Sequence, residues 1–154
     1  MLEPRPATRP HSYFFPAIFT EEVRHSVMPR LYDHIDLRVP SLSAVTGFYK
    51  ALLPELGFNR KVQSKDWLQY ENADEPAGVF FGVTESAGHV ANENRIAFWA
   101  ETVAEVERLA GLAVRAGARN GEGPMCYDPG YHAVFFEDPV GNRFEICHRE
   151  DGAR

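Results

Sequence analysis

The sequence has little cysteine, no cluster of basic residues and no long apolar run, and each shortage excludes a class of protein. Two cysteines in 154 residues cannot form the disulfide framework of a small secreted domain. Lysine and arginine are scattered singly in a chain of net charge -6, so no basic patch is available for the phosphates of a nucleic acid. No apolar run is long enough to cross a membrane. These shortages predict a cytoplasmic protein that binds neither nucleic acids nor membranes.

The first 29 residues differ from the rest of the chain by their prolines. Prolines at positions 4, 6, 10, 16 and 29 interrupt any regular element, and no signal-peptide pattern is present. We interpret residues 1–29 as an arm. Two alternatives stay open: a leader, with Met28 as the true first residue, or an arm whose aromatic side chains pack on a second subunit. Those aromatic side chains are Tyr13, Phe14, Phe15 and Phe19.

Residues 30–90 predict a strand, a helix and three further strands. Polar and apolar residues alternate over residues 32–39, which is typical of a half-buried strand. Apolar residues at helical spacing follow, from a predicted N-cap at Ser41 to a stop at Pro54 and Gly57. Short strands are expected at residues 58–62, 67–70 and 79–84.

The same order repeats in residues 91–150. After a strand at residues 95–99, Thr102 and Glu105 form a capping box that opens a helix ending at Gly117. A tight turn is predicted at residues 138–141. Further strands are expected at residues 123–127, 131–137 and 142–148. The repeat predicts one pseudo-symmetric α+β domain of two βαβββ modules, preceded by the arm and followed by a tail at residues 151–154.

Several short segments carry a family resemblance through their order and spacing. They are DHIDL at residues 33–37, FY at 48–49, LGF at 56–58, IAF at 96–98, AGA at 116–118, the strand at 131–136, DPVGN at 138–142 and FE at 144–145. Together they resemble the vicinal oxygen chelate superfamily of glyoxalases, bleomycin resistance proteins and extradiol dioxygenases. The resemblance implies that the eight strands of the paired modules form an open cavity, in which a divalent metal binds oxygen atoms of a substrate.

The resemblance also implies metal ligands on the first and last strands of each module. It places His34 and Glu145 at two of these positions, and their imidazole and carboxylate groups suit Fe(II), Mn, Ni or Zn. The internal repeat places Arg95 and Gly82 at the other two positions. A guanidinium has no lone pair for a metal, and glycine has no side chain. The metal site is therefore expected to be degraded.

Strand alternation directs one set of side chains towards the expected cavity. Among these side chains, Arg95 could bind an anionic ligand or form an ion pair with Glu145. His89 and His132 could complete a metal shell, but we interpret both as ordinary polar residues. The other side chains expected to contact a ligand are Arg38, Phe80, Trp99 and Tyr127.

Two functions remain open at this point. The first is a lyase or isomerase related to lactoylglutathione lyase, with Glu145 and Arg95 in catalysis and a metal ion on His34 and Glu145 as Lewis acid. The second is a metal-independent binding protein of the bleomycin-resistance type, which sequesters a small molecule, preferably an anionic one. A homodimer is expected in both cases, because the arm carries many aromatic side chains.

Overall fold

A computed structural model describes residues 32–62, 64, 67–74 and 78–150. The predicted arm and tail lie outside the described residues. Each half of the domain contains a strand, a helix and three further strands, which confirms the α+β arrangement of two βαβββ modules. The elements are β1 (His34–Val39), α1 (Leu42–Leu52), a 3-10 turn (Leu53–Leu56), β2 (Arg60–Val62), β3 (Trp67–Glu71), β4 (Phe80–Glu85), β5 (Arg95–Trp99), α2 (Val103–Ala116), β6 (Arg119–Asp128), β7 (Tyr131–Glu137) and β8 (Arg143–Arg149).

The eight strands divide between two four-stranded sheets with the same topology. The first sheet has the order β1-β4-β3-β2, and the second has the order β5-β8-β7-β6. In each sheet the first and last strands of the module are parallel neighbours, whereas the other neighbours are antiparallel. The matching topology confirms the pseudo-symmetric repeat.

Both sheets and both helices contribute to one hydrophobic core. Helix α1 contacts α2, and Phe98 of the second sheet lies against Phe81 of the first, with ring centroids 6.1 Å apart. The inner faces of the two sheets therefore meet in this core. Neither helix of the described residues is long and apolar enough to span a membrane.

Helix α2 begins and ends as the sequence predicts. The Thr102 side chain accepts a hydrogen bond from the backbone N–H of Glu105 at 3.1 Å, which satisfies one of the free donors at the helix start. At the other end, Gly117 adopts a left-handed conformation with φ of 107°, which favours glycine.

Helix α1 begins in a different way. Ser41 occupies the N-cap position but makes no side-chain cap bond, and its hydroxyl instead lies 2.9 Å from that of Ser43. The Glu85 carboxylate, at the end of β4, accepts the backbone N–H of Leu42 at 2.8 Å. The predicted position of the cap is correct, but the predicted capping group is wrong.

A buried carboxylate connects the two modules. Asp138, in the turn between β7 and β8, is fully buried and accepts a hydrogen bond from the Tyr49 hydroxyl of α1 at 2.6 Å. The backbone N–H groups of Val140 and Asn142 and the Asn142 side chain also donate to it, each at 2.9 Å. A buried charge is tolerated when its hydrogen bonds are made, and here four donors surround it.

Candidate functional site

The first strand of each module alternates as predicted between core and surface. On β5, Ile96 and Phe98 pack against the core, whereas Arg95, Ala97 and Trp99 are exposed on the outer face of the second sheet. Strand β1 shows the same pattern, with exposed and partly buried residues in strict alternation up to its last residue. The predicted cavity-facing side chains of these two strands therefore lie on outer faces.

The strand register supports the equivalences deduced from the repeat. His34 and Arg95 are the first residues of β1 and β5, and Gly82 and Glu145 are the third residues of β4 and β8. The third residue of β1 lies beside Gly82 of β4, and the third residue of β5 lies beside Glu145 of β8, so the two parallel strand pairs have the same register. Arg95 and Gly82 thus occupy the positions that correspond to His34 and Glu145 in the opposite module.

Glu145 is a buried carboxylate with a partner on each oxygen. Its Oε1 accepts a hydrogen bond from the Tyr131 hydroxyl at 2.5 Å, and its Oε2 lies 3.8 Å from Nη1 of Arg95. Burial and the adjacent Glu145 raise the pKa of Tyr131 well above its ordinary value, so the phenol stays protonated and acts as the donor. The sequence analysis anticipated the ion pair with Arg95 but not the bond from Tyr131.

Arg95 uses its guanidinium in two contacts and stays partly open to solvent. The group stacks over the ring of Phe135, 4.5 Å from its centroid. Its separation from Glu145 is beyond hydrogen-bond distance, and 44% of the side chain is exposed. The guanidinium can therefore still donate hydrogen bonds to another group, in the planar geometry that suits carboxylates and phosphates.

Aromatic rings complete the surroundings of this ion pair. Tyr127 lies edge-on to Phe135 with ring centroids 5.0 Å apart, and 6.0 Å from Tyr131. Arg149 covers the ring of Tyr131, with its guanidinium carbon 3.7 Å from the ring centroid. We call Arg95, Tyr127, Tyr131, Phe135 and Glu145 the outer-face cluster. Its chemistry combines flat apolar surfaces with one accessible cation.

Two residues extend the same face beyond the cluster. Trp99 is 55% exposed and lies 5.8 Å from the His148 ring. Cys147 is buried, and its burial together with the Glu145 carboxylate raises the pKa of the thiol to about 11. The thiol is therefore protonated at neutral pH and is not a nucleophile.

The candidate residues of the first sheet form a separate group. The His34 ring stacks on Phe80 with centroids 4.5 Å apart, and its Nδ1 lies 2.8 Å from the Asp33 carboxylate. The Trp67 ring covers Gly82, where an added Cβ would lie 3.3 Å from it.

Arg38, another predicted ligand contact of the first module, forms an ion pair with Asp36 at 2.8 Å. Of the two histidines considered as additional metal ligands, His89 lies 3.2 Å from the Asn142 side chain. Nε2 of His132 lies 3.7 Å from the Glu107 carboxylate, beyond hydrogen-bond distance, and has no hydrogen-bond partner among the described residues. Their interpretation as ordinary polar residues remains a prediction.

Within one chain, these residues do not fit a metal ion. His34 and Glu145 lie on different sheets and contact different neighbours. The part of the chain that the structure describes holds no group of three His, Cys, Asp or Glu side chains able to bind a metal. The Glu145 oxygens already face Tyr131 and Arg95, and the positive charge of Arg95 disfavours a divalent cation nearby. The metal pair of His34 and Glu145 remains a prediction.

Comparison with solved structures shows the fold. A glyoxalase/bleomycin resistance protein from Albidiferax ferrireducens shares 24% identity, with a TM-score of 0.65, over 79% of this chain and all of that one. A variant of the fosfomycin resistance protein FosX from Listeria monocytogenes, complexed with Mn(II) and 1S,2S-dihydroxypropylphosphonic acid, shares 20% identity, with a TM-score of 0.60, over 80% of this chain and 93% of that one.

A third similar structure comes from Burkholderia phytofirmans, an enzyme of the glyoxalase/bleomycin resistance protein/dioxygenase family. It shares 15% identity, with a TM-score of 0.59, over 77% of this chain and 98% of that one. None of the curated protein sequences matches the chain. The family model for these proteins matches residues 31–146, which is most of the chain. The chain therefore belongs to the glyoxalase/bleomycin resistance protein/dioxygenase superfamily.

Proposed function

We propose that the chain is a metal-independent small-molecule-binding protein and that its ligand lies on the outer face of the second sheet. One observation carries the proposal: Arg95 occupies a ligand position of the repeat and is paired with Glu145, the carboxylate expected to bind a metal. The permanent positive charge of Arg95 can replace the charge of a metal ion here, because it balances the Glu145 carboxylate and attracts anions.

The surroundings of Arg95 define the class of ligand. Phe135, Tyr127 and Tyr131 offer ring surfaces against which a planar group can stack. The exposed part of the guanidinium can bind a carboxylate, sulfonate or phosphonate group. We therefore propose a small aromatic anion, and Trp99 extends the surface that such a molecule would contact.

We further propose a homodimer in which the first sheet of one copy covers the second sheet of the other. Each outer face carries partly exposed aromatic side chains, and each points away from the shared core. This assembly would add Arg38 and Phe80 of one copy to the outer-face cluster of the other. A cytoplasmic location belongs to the same proposal and rests on the low cysteine content.

A glyoxalase-like lyase or isomerase is the second candidate. The FosX variant with a similar fold is complexed with Mn(II), and the proposed dimer would bring His34 of one copy towards Glu145 of the other. In that case Fe, Mn, Ni or Zn would bind these two residues, and Glu145 and Arg95 would act in catalysis.

Metal analysis separates the two candidates. We expect purified protein to contain far less than one equivalent of Fe, Mn, Ni or Zn, and a chelator to leave its melting temperature unchanged, because no metal contributes to stability. Stoichiometric metal, with a melting temperature that a chelator lowers, would reject the proposal in favour of the metalloenzyme.

Two fluorescent probes test the ligand class. 8-Anilinonaphthalene-1-sulfonate is an aromatic anion, and N-phenyl-1-naphthylamine is its counterpart without the sulfonate. Arg95→Gln should weaken binding of the sulfonate by about tenfold and that of the amine by no more than about twofold, because only the sulfonate contacts the guanidinium. Arg115→Gln is the control, since Arg115 is an exposed arginine of α2. Equal effects of Arg95→Gln on both probes would contradict an anion site at Arg95.

A further inference from the structure

A cavity lies where residues of the two modules meet, next to the outer-face cluster, since Arg143 of its lining is the strand neighbour of Arg95. It has a volume of about 300 Å³ and is lined by β1, by the segment that links the modules and by the start of β8. This volume is at the lower end of the range of small-molecule pockets, roughly 300–1,000 Å³. We propose that this junction cavity binds a small oxyanion, a phosphate or carboxylate group, through Arg143.

Arg143 is a half-buried arginine at the start of β8. It forms no ion pair with any of the described residues. Its neighbour on β5 is Arg95, also a cation, and Glu137, opposite it on β7, accepts a hydrogen bond from Asn120 at 2.7 Å. A guanidinium without an ion pair can donate hydrogen bonds to an oxyanion in planar geometry.

The rest of the lining favours an anion as well. Asn92 and Asn94 are exposed amide side chains of the linking segment, and Asn92 uses its oxygen to accept the backbone N–H of Asn94 at 2.8 Å. The NH₂ group of Asn92 remains a donor for a ligand. Apart from His89, the ionisable side chains of the lining are Arg143, Arg38 and Asp36. Two arginines against one aspartate leave one positive charge.

A carboxylate behind the lining does not offset this charge to the same extent. Asp138 contacts Asn142, one of the lining residues, but it is fully buried and already accepts four hydrogen bonds. A bound oxyanion would contact β1 from the first module and β8 from the second. Anion binding should therefore stabilise the junction between the modules.

The test is a titration of the full chain with inorganic phosphate. The amide chemical shifts in two-dimensional NMR spectra monitor binding during the titration. Sodium chloride keeps the ionic strength constant, and a parallel titration with acetate distinguishes a phosphate site from a carboxylate site. We expect saturable shifts at residues 36–38, 89–94 and 142–143 with at least one of the two anions. Arg143→Gln should weaken that binding by about tenfold or more.

Three further variants locate the anion. Arg143 also lines a smaller cavity of about 130 Å³ together with Arg95, so its loss alone does not identify the cavity. Asn94→Ala alters only the junction cavity and should weaken binding by about threefold. For the shifts at residues 36–38 and 89–94, Arg95→Gln and the control Arg115→Gln should leave the affinity within about twofold of the wild type, because neither arginine lines the junction cavity.

The inference is rejected if neither anion causes saturable shifts, or if Arg143→Gln binds as tightly as the wild type. It is also rejected if Arg95→Gln abolishes binding while Asn94→Ala does not, because the anion then lies on the outer face. The probe experiment at Arg95 gives an independent result, so the two proposals can fail separately.

Discussion

The outer-face cluster shows how one arginine changes the chemistry of a position at which a metal ligand was expected from the sequence. The internal repeat was sufficient to predict that Arg95 corresponds to His34 and that it could pair with Glu145. The bond from Tyr131 to Glu145 could not be predicted in this way. Alternation gives the face on which a tyrosine lies, but the reach of its ring along that face depends on the twist and register of β7 and β8.

The Cys147 thiol offers a test of the electrostatics at Glu145. Because its pKa is raised to about 11, only a very small fraction is thiolate at pH 8. Iodoacetamide should label the exposed Cys126 at pH 8 and leave Cys147 unmodified, and labelling of Cys147 should rise as the pH approaches 11. Burial and Glu145 both favour the neutral thiol, so this contribution to stability is present at lower pH and decreases between about pH 9 and 11.

Glu145→Gln keeps the shape of the side chain and removes its charge, so the pKa of Cys147 should fall. We expect labelling of Cys147 at pH 9 to accelerate by about threefold or more, measured by mass spectrometry of the peptides. Glu122→Gln is the control, since Glu122 contacts Tyr127 instead. Unchanged labelling in Glu145→Gln would show that burial alone raises the pKa of Cys147.

At the scale of the helices and strands, elements with a local signal were predictable and those that depend on distant contacts were not. The cap bond of α2 joins residues three positions apart, Thr102 and Glu105, and the structure confirms it. The Glu105 side chain, however, accepts the backbone N–H of Glu101 at 2.9 Å, not that of Thr102 as a capping box requires. The group that caps α1 is 43 positions away from it, so no local pattern points to Glu85.

Strand β6 is another element whose extent the sequence conceals. It runs over Arg119–Asp128, whereas the sequence predicted a strand only at residues 123–127. Its pairing with β7 shifts register at three places, and it contains Gly121, Gly123 and Pro124. Such residues break the alternation by which a strand is recognised.

The start of α1 yields a prediction that opposes the simple interpretation of the sequence. Glu85→Ala should lower the free energy of unfolding by about 1 kcal/mol, because it removes both a cap bond and a negative charge at the positive end of a helix. Ser41→Ala should cost less than about 0.5 kcal/mol, since its hydroxyl makes no cap bond. Urea unfolding of both variants measures the difference, and a larger loss for Ser41→Ala would mean that serine is the capping group.

At the scale of the whole molecule, the repeat and the family signature predicted the fold but not the relation between the two halves. The sequence analysis expected His34, Arg95 and Glu145 around one cavity. In the described chain, Phe98 and Phe81 join the inner faces of the sheets. His34 contacts Phe80 and Asp33 on the side of the first sheet, whereas Arg95 pairs with Glu145 on the second sheet. A strand pattern tells which side chains share a face, but it does not tell which of two faces a second module covers.

This arrangement leads to a prediction about assembly. Trp99 is 55% exposed in the single chain on the face that we propose a second copy covers. If that copy is present, light scattering at micromolar concentration should give twice the mass of the chain. Trp99→Arg should shift the equilibrium towards monomer, because it places a charge in an apolar contact.

Val114→Arg is the matched control for Trp99→Arg, since Val114 is 68% exposed but lies on α2, away from the outer faces. It should leave the mass unchanged, while both variants should melt within a few degrees of the wild type, because neither side chain belongs to the core. Equal effects of the two variants would indicate association through general hydrophobicity. A monomer in the wild type would remove the basis for combining Arg38 and Phe80 with the outer-face cluster, and the ligand would then bind to the second sheet alone.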